Sequence, residues 1–242
     1  METLQATIDY YNGEVILINK PYKWTSFDVV NKLRIILKKH LSNSSKLKVG
    51  HAGTLDPLAT GLLIICTGKL TKEINSYQAQ EKEYTGSFYI GAATPSFDLE
   101  TKPDYSFSIS HITEDLILET SKKFTGKVLQ SPPVHSAVKV NGLRAYKNAR
   151  KGIETKILSR EVFIHQFEIT KIEMPLVYFR VVCSKGTYIR ALANDFGKAL
   201  NSGAYLHSLC RTCIGEFKID NALSVEEFIA SVNKHFAAAV VL

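Results

Sequence analysis

One carboxylate stands in a stretch that specifies main-chain geometry: Gly50-His51-Ala52-Gly53-Thr54-Leu55-Asp56-Pro57-Leu58-Ala59-Thr60-Gly61. Glycine admits dihedrals that other residues avoid and lets a second molecule approach the main chain. Pro57 turns Asp56 away from helical geometry into an extended or turn conformation. A basic stretch precedes the loop (Lys46 to Val49) and an apolar run follows it (Leu62 to Ile65). A rigid loop that presents one acid between a basic flank and a likely strand reads as a site. A lone Asp-Pro would more simply be a turn in which the Asp bonds its own backbone, so the companions of the loop decide.

Those companions follow in order along the chain. Lys20-Pro21 and Trp24-Thr25-Ser26 precede the loop. After it come Lys82-Glu83-Tyr84, Gln130-Ser131-Pro132-Pro133, and Ser136-Ala137-Val138-Lys139 with Gly142 and Tyr146 to Arg150. Ser184-Lys185-Gly186-Thr187-Tyr188-Ile189-Arg190 and Leu206 to Arg211 complete the set. Together with Gly-His-x-Gly-Thr-Leu-Asp-Pro, they resemble the motifs of the TruB-type pseudouridine synthases, which modify the T-arm uridine of tRNA at position 55. The resemblance runs from about residue 13 to about residue 217, and a chance glycine-rich match would lack such company.

The resemblance implies a single catalytic domain over residues 1–242 with the α+β pseudouridine-synthase fold. That fold is a mixed, mostly antiparallel sheet with helices around a central cleft. The resemblance also implies a thumb-like RNA-binding insertion over about 130–154 and a short helical tail over about 222–242. Only 25 residues follow Phe217, so the expectation is a short form without a complete C-terminal PUA domain. Lys23 departs from the family pattern, which commonly has glycine there; if the position needs a positive φ, the loop must differ locally.

The implied reaction breaks the N1–C1′ bond of uridine, turns the base and rejoins it through C5. Positive charge builds at C1′ as the bond breaks, as in glycoside hydrolysis. Asp56 is the expected nucleophile, and whether it attacks C1′ or the uracil ring is open. Burial alone would raise its pKa, and a nearby arginine opposes that. Arg190 is the residue the resemblance offers for this pairing; taken singly it would be a solvated helix residue. Tyr84 is expected to stack on the base with its hydroxyl near the sugar, although an aromatic at that point of a strand is ordinarily core. Tyr188 and Leu209 are expected to support and line the pocket. His51 is assigned to RNA binding at a flipped nucleotide, since this chemistry cannot proceed inside a stacked arm. Lys139, Arg144, Arg150 and their basic neighbours are assigned to phosphate contacts, and Lys20, Pro21 and Gly53 to structural support. The isomerisation calls for no cofactor and no metal. The competing reading is a non-catalytic module that grips and refolds tRNA, which would not need Asp56, Tyr84 and Arg190 together.

The residue pattern also outlines the elements that must hold these groups. Glu14 to Asn19 reads as a strand ending at Lys20-Pro21. Ser26 is the expected N-cap of a helix with the stripe Val29, Val30, Leu33, Ile36 and Leu37. Leu62 to Cys66 reads as a buried strand, and Lys69 to Gln78 has helical spacing. Tyr84 to Ile90 alternates as a strand, Thr113 caps a helix, and Asn141-Gly142 marks a two-residue hairpin. Strands follow over Glu161 to Ile172 and Leu176 to Cys183, then a helix over Thr187 to Leu200. Ser224-x-x-Glu227 opens a last helix with a capping box. The interleaving has no regular βαβ beat, which points to α+β.

Composition sets the bounds. The chain has 242 residues, 45% hydrophobic and 22% charged, enough for a sizeable core. Thirty basic against 23 acidic residues give +7, which weakly favours a polyanionic partner. The N-terminus carries Glu2 and Asp9 and does not read as a signal peptide, and the longest apolar run, Phe236 to Leu242, is too short to span a bilayer. Cys210-x-x-Cys213 lacks a second pair for zinc. All four cysteines read as reduced and mostly buried thiols, in keeping with a cytoplasmic protein. A monomer is the default.

Overall fold

Thr60–Thr67 shows how the sequence builds the first half of the molecule. Its apolar run has no polar alternation, so both faces of the strand must be covered. Leu63 and Ile65 point into one apolar cluster, and Leu62, Ile64 and Cys66 into another. Each is fully buried, which contributes about 1.5–3 kcal/mol per large aliphatic side chain.

A computed structural model describes residues 9–41, 47–133, 139–140, 143–144 and 158–239. In chain order the strands are β1 (Val15–Lys20), β2 (Val49–His51), β3 (Thr60–Thr67), β4 (Lys82–Ile90), β5 (Ala92–Ala93), β6 (Tyr105–Ser106) and β7 (Gly126–Gln130). They continue with β8 (Lys139–Val140), β9 (Leu143–Arg144), β10 (Arg160–Glu173), β11 (Leu176–Cys183), β12 (Ala204–Ile214) and β13 (Phe217–Lys218). The α-helices are α1 (Ser26–His40), α2 (Ile74–Ala79), α3 (Glu114–Lys122), α4 (Ile189–Ala199) and α5 (Val225–Ala239). The chain divides into two compact units, residues 1–80 with 210–242, and residues 81–209.

In the first unit β3 pairs antiparallel with β1 and β2, while Cys210 and Arg211 of β12 pair parallel with Thr60 and Gly61. The arrangement is therefore mixed. Val29, Val30, Leu33 and Leu37 of α1 and Val225, Phe228 and Val232 of α5 cover the Leu63/Ile65 face. Ile36 is only partly buried and packs on the edge of that cluster. The α1 cap lies one residue earlier than expected. Thr25 is the N-cap and forms a capping box with Asp28, while Ser26 is already helical and buried. Residues 68–73 form a 3-10 turn that runs into α2, rather than one continuous helix. Ser224 and Glu227 make the expected reciprocal cap on α5.

In the second unit β7, β10, β11 and β4 pair antiparallel in that order, and β12 lies beside β4. This core is aromatic. Phe88 of β4 stacks on Phe179 of β11 at 4.3 Å, and Phe196 of α4 lies 5.7 Å from both Phe88 and Phe167. Thr113 caps α3 through the Leu116 N–H, as expected. Strands β8 and β9 pair antiparallel with Lys139 opposite Arg144 and Val140 opposite Leu143; Asn141-Gly142, the expected hairpin turn, lies outside the described residues. Of the expected thumb over about 130–154, residues 134–138 and 145–154, Arg150 included, also lie outside the described residues.

No helix among the described residues is long and apolar enough to cross a membrane. Cys66 and Cys183 are buried; Cys210 and Cys213 are half-buried, and all four are free. On a strand, residues three apart face opposite sides, so the Cys210-x-x-Cys213 spacing on β12 does not converge on a metal.

Candidate active site

The loop between β2 and β3 carries Asp56 and is fastened from four directions. Ala52 donates its N–H to the Ile64 carbonyl at 2.9 Å. Arg211 donates from Nη2 to the Gly53 carbonyl at 3.1 Å and from Nε to the Leu62 carbonyl at 2.8 Å. The Ser26 hydroxyl accepts the Leu55 N–H at 2.8 Å and donates to the Leu55 carbonyl at 3.2 Å. Pro57 presents its carbonyl to the Lys23 N–H at 2.8 Å and to the Lys20 ammonium at 3.4 Å. Asp56 is thus held through both of its chain neighbours, and the Ala59 N–H closes a turn onto its own carbonyl at 3.0 Å. These fastenings all hold main chain on either side of Asp56.

Two glycines make this path possible. Gly53 has φ +102°, a region that side chains rarely adopt. At Gly61 a Cβ would meet the Arg211 carbonyl oxygen at 2.4 Å, so only glycine permits β12 to approach β3 there. Lys23 also has a positive φ, 67°. The local departure expected of a non-glycine residue does not occur; the left-handed conformation is retained, held by the bond to Pro57.

Lys20, expected to give structural support, is fully buried. Its ammonium donates to the carbonyls of Pro21 at 2.9 Å, Trp24 at 2.6 Å and Pro57 at 3.4 Å. Burial pushes its pKa down to about 8; the charge of Asp56 works in the opposite direction, and that of Arg211 adds to the depression. Lys20, Thr25 and Ser26 of the Lys-Pro segment therefore have one shared job. They shape the approach to α1 and clamp it to the Asp56 loop. His51, at the end of β2, is held below the ordinary histidine range, first by burial and then by the Arg211 guanidinium. It is neutral at physiological pH, which suits stacking rather than ion pairing.

In the second unit Tyr84 sits on β4 opposite Val181 and is 9% exposed. Arg190, in the first turn of α4, is 3% exposed and therefore not a solvated helix residue. Its Nη1 donates to the Ser96 carbonyl at 3.2 Å, and its Nε lies 3.6 Å from Oδ2 of Asp98. Asp98 is 5% exposed and held in a tight turn, with its carbonyl accepting from Thr94 and Ser96 and its carboxylate accepting the Glu100 N–H. Sequence reasoning missed this pairing, because no local spacing links Asp98 to Arg190. Tyr188 is the N-cap of α4. The Gln130 amide donates to its carbonyl at 3.0 Å and accepts its N–H at 2.7 Å, so the end of β7 orients the start of α4. Arg160 lies over the Tyr188 ring at 5.0 Å. Leu209 is half-buried on β12.

Among the described residues no cluster of three or more His, Cys, Asp or Glu gathers as metal ligands. Arg211 and Asp98 are site-supporting residues that sequence reasoning left without a role, and Ser26, expected only as a helix cap, bonds Leu55 instead.

Comparison with known proteins agrees with this geometry. The model of the TruB family pseudouridylate synthases (N terminal domain) matches residues 38–189. The chain is 56% identical over 224 residues to a tRNA pseudouridine synthase B of Flavobacterium johnsoniae, covering 93% of this chain and 98% of the relative. It is 52% identical over 220 residues to the protein of that name from Parabacteroides distasonis, covering 91% and 93%. Among solved structures it is similar to a chain of a Cbf5-Nop10-Gar1 complex, with TM-score 0.70 and 29% identity, covering 91% of this chain and 54% of the other. The fold expected from the sequence, α+β with a mixed sheet, is the one these relatives share.

Proposed function

We propose a function from one premise, that the chain belongs to the TruB family of pseudouridylate synthases: it converts a uridine in the T arm of tRNA, at position 55, to pseudouridine. The observation that carries this reading is the four-way fastening of the Asp56 loop, by residues of the same motifs that the family shares. A binding surface does not need one carboxylate placed this firmly, whereas a nucleophile does, because misplacement by about 1 Å can cost on the order of a hundredfold in rate.

Asp56 meets the nucleotide as the glycosidic bond breaks, and its anionic form stabilises or captures the positive charge at C1′. The base then turns and rejoins through C5, and a proton leaves that carbon. Atoms balance within one nucleotide, so no redox partner or co-substrate is consumed. Tyr84 supplies an aromatic face and a hydroxyl for the rotating base and sugar. Arg190 is the guanidinium that the family pattern offers for keeping the catalytic carboxylate ionised. His51, neutral and aromatic, stacks where the flipped nucleotide leaves the arm. Lys139, Arg144 and Arg150 contact phosphates, which makes affinity fall with salt. The protein acts as a monomer.

The test is incubation of a T-arm stem-loop transcript with the pure protein, followed by carbodiimide mapping of pseudouridine. Conversion by the wild type and none by Asp56→Ala, with stem-loop binding retained, is the expected result. Conversion by Asp56→Ala removes the nucleophile from the account.

A further inference from the structure

We infer that Arg211 is a positioning residue for this reaction: its buried guanidinium, bonded to the carbonyls of Gly53 and Leu62, sets the main chain from which Asp56 projects. The inference rests on the proposed isomerisation and adds a residue to it. Arg211 is 1% exposed and is one of the largest fully buried side chains in the described structure. Burying a cation costs several kcal/mol, and well-packed apolar residues in place of buried ionic groups are often neutral or stabilising. Stability alone is therefore a poor reason for an arginine here.

Geometry gives a better one. Arg211 pairs with Gly61 at the near end of β3, and from there its side chain reaches back to Leu62 and across to Gly53. The two acceptors lie at the two ends of the loop. A planar fork with several fixed N–H directions can hold two such carbonyls at one spacing; a lysine ammonium, a single point on a flexible stem, cannot. Gly61 lets β12 come close enough for this reach. The same guanidinium adds to the downward shift of both Lys20 and His51, so its charge is felt on both flanks of the loop.

The experiment compares Arg211→Met and Arg211→Lys with Val232→Ala, a cavity variant beneath α5 that loses stability without touching the loop. Single-turnover rates are measured at saturating stem-loop, well below each melting temperature, together with stem-loop affinity and hydrogen exchange at Leu55. Arg211→Met is expected to slow the chemical step about 10- to 100-fold with affinity little changed, and to speed exchange at the Leu55 amide. Arg211→Lys keeps the charge, recovers part of the rate, and leaves His51 titrating as in the wild type. Val232→Ala keeps the wild-type rate and Leu55 protection. Should Arg211→Met fail to fold, Arg211→Lys carries the test: a wild-type rate and wild-type Leu55 exchange in it overturn the inference. Equal slowing in Val232→Ala overturns it too. A wild-type protein that converts no stem-loop sinks the proposed function instead, and the exchange comparison then still decides whether Arg211 holds the loop.

Discussion

The loop that carries Asp56 and the helix start that carries Arg190 are held by different means. Around Asp56 the buried cations Lys20 and Arg211 face main-chain carbonyls. At Arg190 the buried cation faces a carboxylate, Asp98, and one carbonyl. A carbonyl fixes where the chain runs and has no net charge to offset the ammonium or guanidinium. A carboxylate neutralises its partner and aims it. The first arrangement positions a neighbouring side chain; the second positions the cation itself. Their cores differ in the same sense: an aliphatic pack on both faces of β3 in one unit, and interlocked phenylalanines between β4, β11 and α4 in the other.

The comparison breaks most visibly at Asp98. Asp98→Asn leaves the Arg190 charge buried beside a neutral amide, and a loss of about 3–5 kcal/mol in urea unfolding is expected. A loss below about 1 kcal/mol would mean that the ion pair does little to hold Arg190.

Lys20 tests the carbonyl-bound side through pH. Its folded pKa is about 8, against an ordinary 10.5. Between those values the unfolded chain binds more protons than the folded one, so stability rises with pH across that window. The rise amounts to about 3 kcal/mol at most, and it is absent below about pH 8, where both states are charged. The difference in unfolding free energy between wild type and Lys20→Met should therefore grow from pH 8 to pH 10; a flat difference contradicts the depressed value.

Ser26→Ala removes both bonds to Leu55 and leaves a buried N–H and carbonyl without that partner, at about 1–3 kcal/mol. The sharper expectation is kinetic: turnover of the stem-loop falls while its affinity stays, because Leu55 adjoins Asp56. The smallest effect belongs to Lys23, whose positive φ costs a non-glycine residue about 1 kcal/mol. Lys23→Gly should recover part of that in melting temperature, offset by the freedom glycine adds to the unfolded chain, with the Pro57 bond and activity intact.

Much of the molecule was legible in the residues. Apolar alternation and unbroken apolar runs placed β1, β3, β4, β10 and β11 because the side-chain period of a strand is short and local. The Thr113 and Ser224 caps could be read because a cap and its N–H lie three residues apart. The α1 cap was misplaced by one residue since Thr25 and Ser26 both cap well; burial of Ser26 against Leu55, a contact 29 residues away, decides between them. The break into a 3-10 turn before α2 likewise had no local signal.

Residue types and their order along the chain determined the family, the α+β class and the loop in which the acid stands. What tertiary structure alone decided is which groups hold that loop and what faces Arg190. Arg211 reaches Gly53 across 158 positions and Arg190 meets Ser96 across 94. Local propensity cannot encode such partners, because they become neighbours only when strands pair and bury the charges that must then be satisfied.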